Sequence, residues 1–191
     1  MTTSDSLIQV KQAFLLELPF YRHDEVGLKQ EQEAIIQLPA GLDDEGQQVL
    51  EQLHVYILEK DAHYEIKQTP LFVRNLARGD IISVDPQRPE IFKVLERSGN
   101  LAVRIFRKQG LDDLELSLTP QVEKLDGKLD LQTARGLSYS LHVNLGFAAI
   151  ETLMDNAMAA FPGAVWYYGN VYDPADGVTP LNWWSSFINQ I

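Results

Sequence analysis

The sequence predicts an α+β protein: an N-terminal curved antiparallel sheet or small β-barrel, followed by a ferredoxin-like strand–helix–strand unit. Three observations predict it. Short β-branched and aromatic runs recur about every ten residues through the front half, with Gly and Pro turns between them. A clean alternation covers Leu137–Leu145, and one strong helical pattern, Phe147–Phe161, follows it. Hairpins first and a strand–helix–strand unit later indicate one helix packed on a sheet. The chain then divides into 1–110, mostly β and barrel-like, and 111–191, α+β, as separate domains or one continuous domain.

Taken in order, Ile8–Leu18 alternates apolar and polar residues and reads as a strand. Glu33–Leu38 is a second strand. Asp43, Asp44 and Glu45 are placed to start a helical turn over Gly46–Leu53, since acidic side chains favour a helix N-terminus, although Gly46 opposes it. Val55–Leu58 and His63–Lys67 form a hairpin around Glu59–Ala62. Asp80–Val84, Ile91–Leu95 and Leu101–Phe106 are further strands, bounded by Gly79, Asp85-Pro86, Pro89 and Ser98-Gly99-Asn100. Gly110–Gly136 is ambiguous: Leu114, Leu116 and Leu118 alternate as in a strand, and a short helix fits near Pro120–Leu125. In Leu137–Leu145, alternate apolar residues share one face while Ser138, Ser140, His142 and Asn144 share the other, which predicts a wet or lightly covered side. Phe147, Ile150, Met154, Ala157 and Phe161 have helical spacing, and Pro162-Gly163 ends the helix. Ala164–Tyr172 is an aromatic strand, and Leu181–Ile191 an amphipathic tail.

Composition narrows the function classes. The 191 residues include 45% hydrophobic ones and no cysteine, so disulfides, thiolate catalysis and cysteine-bound zinc are excluded. With 16 Lys and Arg against 27 Asp and Glu, the net charge is −11. That balance opposes binding to nucleic acid or an anionic membrane surface, and it suits a basic protein partner. Neither a secretory leader nor a bilayer-length apolar run is visible, so a cytoplasmic location is expected.

Four segments resemble one family. They are Leu53-His54-Val55 with Tyr64-Glu65-Ile66, Thr69-Pro70-Leu71-Phe72, Leu76–Val84 containing Ala77-Arg78-Gly79-Asp80, and Phe92–Gly99 followed by Leu101–Ile105. Together they resemble the bacterial family catalogued as domain of unknown function 4265. The pattern is one of glycines, prolines and core residues, so it bears on fold and implies no activity. In Ala77-Arg78-Gly79-Asp80, the physical reading is a tight turn whose Asp bonds the turn's own amides.

No catalytic motif, cofactor signature or metal-ligand spacing stands out. His54 and His63 could face each other in a hairpin, but two surface histidines are no metal motif. His142 shares a strand face with Ser140, the basis of a small-hydrolase reading, yet no orienting carboxylate or oxyanion hole is marked. Arg74, Arg78, Arg97, Arg104, Arg107 and Lys108 gather positive charge mid-chain. Arg78 and Arg104 are the candidate anion binders, against the commoner reading of pairing with neighbouring carboxylates. The aromatic residues Trp166, Tyr168, Tyr172, Trp183 and Trp184, with His142, form the candidate partner surface, because Tyr and Trp are enriched in interfaces. The competing reading folds the tail back over them. The leading expectation is a non-enzymatic interaction module. An immunity or antitoxin-like protein that masks a basic toxin is one alternative, the hydrolase another, and a homodimer through the aromatic strand a third reading of that surface.

Overall fold

The computed structural model describes residues 32–58 and 62–188, and Glu31–Ile191 forms one compact unit. The strand read at Ile8–Leu18 lies outside the described residues. Five strands form a first antiparallel sheet in chain order: β1 (Gln32–Leu42), β2 (Gln48–Ile57), β3 (His63–Ile66), β4 (Ile81–Asp85) and β5 (Arg88–Glu96). The sheet curves until β1 and β5 approach within 8 Å at Cα, but no ladder joins them. The curved-sheet expectation therefore holds and the closed barrel does not.

The helical turn expected over Gly46–Leu53 is instead a hairpin and the start of β2. Asp43 Oδ1 accepts the Glu45 and Gln47 amides at 2.9 and 2.8 Å, so the acidic residue closes a turn between strands rather than starting a helix. Leu38, Leu53, Val55, Ile66 and Ile82 make the small core of this sheet with Val73 and Leu76 from the β3–β4 connection.

The second sheet has the order β7-β8-β6-β9, every neighbouring pair antiparallel. Its strands are β6 (Asn100–Phe106), β7 (Lys128–Gln132), β8 (Gly136–His142) and β9 (Val165–Tyr168), with α1 (Leu111–Glu123) between β6 and β7 and α2 (Phe147–Ala160) between β8 and β9. A short α3 (Ser185–Ile188) ends the described chain. The ambiguous Gly110–Gly136 segment thus resolves into a full helix and a strand. Leu111, Leu114, Leu118 and Val122 recur at three- and four-residue steps and are all buried, which outweighs the period-two run of leucines; Leu116, the odd member, is exposed. Both helices cover one face of the sheet, where Leu101, Val103, Ile105, Leu137, Tyr139 and Leu141 meet Leu114, Leu118, Ile150 and Met154.

The opposite face is not wet. Ser138 and Ser140 are buried, as are Ala102 and Arg104, because the β3–β4 connection lies across them. That connection has no regular structure, and side chains from both sheets satisfy its backbone. Glu51 of β2 accepts the amides of Leu71, Phe72 and Val73 at 2.6, 2.9 and 2.7 Å. Arg104 of β6 donates to the Phe72 carbonyl at 3.1 Å and to that of Val73. Gly169, just after the last strand, leaves room for this guanidinium, since a β-carbon there would sit 2.5 Å from Arg104 Nε. Ser138 donates to the Thr69 carbonyl at 2.7 Å, and Asp130 accepts the Thr69 amide at 3.0 Å. A bulge between Leu129 and Leu131 turns Asp130 toward this face.

Burial lowers the Arg104 guanidinium from its ordinary value, and Tyr167 and Glu51 pull against that. Replacing Arg104 with Met would keep the volume and leave two buried carbonyls unpaired. A loss of about 2–4 kcal/mol in unfolding free energy is expected from urea titration. Tyr139, buried under α1 and bonded to Thr119 at 2.9 Å, is pushed up to about 12, mainly by burial. Its folded value is raised, so the stability it contributes is complete below its ordinary 10.0 and is lost as pH rises through about 12. The stability difference between wild type and Tyr139→Phe, measured against pH, should fall across that window and stay flat below it.

Candidate functional site

Alternation on β9 sends Trp166 and Tyr168 to the helix side and Val165 and Tyr167 to the other. On the helix side the aromatic residues singled out in the sequence are brought together. Edge-on contacts run from Trp166 to Tyr168 at 5.1 Å, Tyr168 to Phe147 at 5.5 Å, Phe147 to Trp184 at 5.2 Å, and Trp184 to Trp183 at 5.9 Å. Phe187 then links Trp183 to His142, at 5.9 and 6.0 Å. The tail folds back, with Trp183 Nε1 donating to the Asn170 carbonyl at 2.7 Å and its ring 5.4 Å from the Arg97 guanidinium. Trp166 Nε1 donates to Asp155 at 3.0 Å. These rings are half-buried and mostly serve to close the molecule; Tyr172, by contrast, is exposed. The Tyr168 hydroxyl is buried without a hydrogen-bond partner among the described residues, and burial raises its pKa.

His142 Nδ1 accepts the Asn144 amide at 3.3 Å. Its Nε2 lies against Gly99, where a β-carbon would come within 2.4 Å. Ser140, the companion of the hydrolase reading, is buried. No group of three His, Asp or Glu among the described residues could hold a metal ion. Of the candidate anion binders, Arg104 is fully buried on carbonyls, and Arg78 donates from Nε to Asp130 at 2.6 Å and also pairs with it through Nη2. Asp80 accepts the Ala77 amide at 3.1 Å, as the turn reading expects, and Arg97 at 2.9 Å. Burial raises the Asp80 pKa, opposed by Arg97.

The other side of β9 carries Tyr167 of the aromatic strand together with Phe72 and Phe106, which sequence reasoning missed. Phe72, Phe106 and Tyr167 form an aromatic ladder, 5.8 Å apart and tilted for the first pair, 5.9 Å and stacked at 9° for the second. Phe72 is 48% exposed, Tyr167 43% and Val165 59%. Phe72 comes from the β3–β4 connection, 34 residues before Phe106 in sequence, and the hydrogen bonds of its backbone to Glu51 and Arg104 help to bring it there. The signal available in sequence was the β6 and β9 alternation itself, which puts Phe106 and Tyr167 on the face of Arg104.

Edge strands expose unpaired backbone, and proteins shield them with charge, proline or bulges. β1 has Pro39 and a bulge beside it, β5 has Arg88, Pro89 and Lys93, and β7 has Lys128 and a bulge at Asp130. β9 reads Val-Trp-Tyr-Tyr and has none of these. Since the Gly169 amide donates to the Ala102 carbonyl, the paired positions are Tyr167 and Val165. The backbone groups of Trp166 and Tyr168 therefore point off the free edge. A 910 Å³ cleft between β1 and β5, reaching Arg74 and Pro174, is larger but bounded by two shielded edges and mixed charges.

The model of the family described as Domain of unknown function (DUF4265) matches residues 51–161. The chain belongs to that family. The matched span contains Glu51, Arg78, Asp80, Arg97, Arg104 and Asp130, the charged residues that hold the β3–β4 connection, whereas β9 and the tail lie beyond it. No curated protein matches the chain. Among solved structures, a hypothetical protein from Neisseria gonorrhoeae is similar, with a TM-score of 0.56 and 20% identity over 72% of this chain and 94% of that one. That likeness shows a shared fold. In this family member, Trp183→Phe would remove the hydrogen bond to Asn170. A loss of about 1 kcal/mol in urea unfolding is expected.

Proposed function

We propose that the protein is a non-enzymatic interaction module that docks a partner on the free edge of β9. One observation carries the reading: the single unshielded edge strand among the described residues lies beside an exposed, pre-stacked aromatic ladder. Main-chain groups on an open edge supply affinity for an extended segment, and alternate side-chain contacts supply selectivity. Rigid aromatic residues add contact area at low entropic cost. The four residues of β9 set the length of the paired stretch. We read the second sheet and its helices as a ferredoxin-like unit; the strand order β7-β8-β6-β9 with α1 and α2 on one face supports this. The burial of Ser140 and the hydrogen bond that occupies His142 Nδ1 favour binding over hydrolysis.

A selection of random peptides displayed on phage against the intact chain tests the reading. Selected peptides should lose binding about tenfold or more with Phe72→Ala/Tyr167→Ala, as expected when aromatic anchors are removed. Leu42→Ala, at the exposed end of β1, should leave binding unchanged. Peptides that respond to Leu42 and ignore Phe72 and Tyr167 would contradict it.

A further inference from the structure

At one end of β9 three cations meet. Arg107 and Lys108 follow β6, and Arg135 lies in the β7–β8 turn, where its carbonyl accepts the Arg107 amide at 3.1 Å. With Phe106, Gly163 and Val165 they line a 340 Å³ hollow. Arg107 is anchored by its bonds to the Gly110 and Pro162 carbonyls, at 2.6 and 3.4 Å, and by the Phe161 ring at 5.4 Å. Lys108 and Arg135 are exposed and make no ion pair among the described residues. Of the other mid-chain arginines, Arg78 and Arg97 are paired with Asp130 and Asp80, Arg104 is buried, and Arg74 donates to the Pro174 carbonyl at 3.4 Å. Lys108 and Arg135 thus place exposed positive charge, unpaired among the described residues, at this end of the apolar edge, in a chain whose net charge is −11.

We propose that the occupant of the β9 edge is an extended acidic segment of a partner protein. Resting on the docking reading above, this assigns the partner's chemistry. Its backbone pairs with Trp166 and Tyr168, its apolar side chains lie on Phe106 and Tyr167, and its carboxylates reach Arg107, Lys108 and Arg135. The sign is opposite to the basic partner that net charge alone suggests. Charges beyond about 8 Å are screened at physiological salt, so the local cations, and not the total, decide which segment is held. Carboxylates on arginine form the stronger, charge-assisted class of hydrogen bond.

The test uses calorimetric titration of the intact chain with three octapeptides that alternate Val and Tyr with Glu, Ser or Lys. The Glu peptide should bind about tenfold tighter than the Ser peptide, and the Lys peptide most weakly. That preference should shrink when salt is raised from about 50 to about 300 mM. Lys108→Glu/Arg135→Glu, exposed changes that spare the anchored Arg107, should reverse the order while the far-ultraviolet spectrum is unchanged. Equal binding of all three peptides, lost with Phe72→Ala/Tyr167→Ala, would overturn the acidic assignment and leave the docking reading standing. Absence of binding by every peptide would overturn both.

Discussion

Glu51 and Arg104 hold the same short piece of backbone from opposite sides, and the rest of the structure depends on it. The carboxylate from the first sheet takes three successive amides of Leu71–Val73, and the guanidinium from the second takes two of the carbonyls. An irregular segment buried between two sheets would otherwise carry orphan polar groups, each costing about 1–3 kcal/mol. Charged partners are suited to the task because hydrogen bonds to ionised groups are stronger than neutral ones. Asp130 and Asp80, each with its arginine, repeat the device at either end of the segment. The buried charges thereby have a structural explanation in backbone that needs partners.

The consequence for function is positional. Because its backbone is held, Phe72 can stand half-exposed on the aromatic ladder without a regular element beneath it. Folding-back of the tail fills the helix side of β9 and leaves the other side and the edge open. In the proposed docking role, a strand preorganised in this way would lose little entropy on binding. A buried polar lock thus fixes the aromatic face that lies beside the unshielded edge.

Much of the fold was legible in the sequence because it follows from local periodicity. The alternation of Leu101–Phe106 and the helical spacing of Phe147–Phe161 each gave the right element, and the strand read over Leu137–Leu145 holds as far as His142, where a 3-10 turn over Val143–Leu145 replaces it. Asp43 misled because an acidic residue caps a helix and closes a hairpin turn by the same hydrogen bonds. Leu114, Leu116 and Leu118 misled because three leucines at spacing two match a strand until the buried Leu111 and Val122 are counted with them. Ser138 and Ser140 looked solvent-facing because polarity predicts water, whereas here it predicts a polar covering segment. The site was less legible. The aromatic residues of β9 and the tail were found, but their division between a packed face and an open one depends on where the tail folds. Phe72 reaches the surface through long-range hydrogen bonds that no periodicity encodes.

Native-state hydrogen exchange of the Leu71, Phe72 and Val73 amides tests the lock most directly. If Glu51 and Arg104 fix this segment, those three amides exchange only through global unfolding, with protection equal to that of the β6 core and the same dependence on urea. Rapid exchange independent of urea, while β6 stays protected, would contradict it: the segment would then open locally, and Phe72 would have no fixed place on the face.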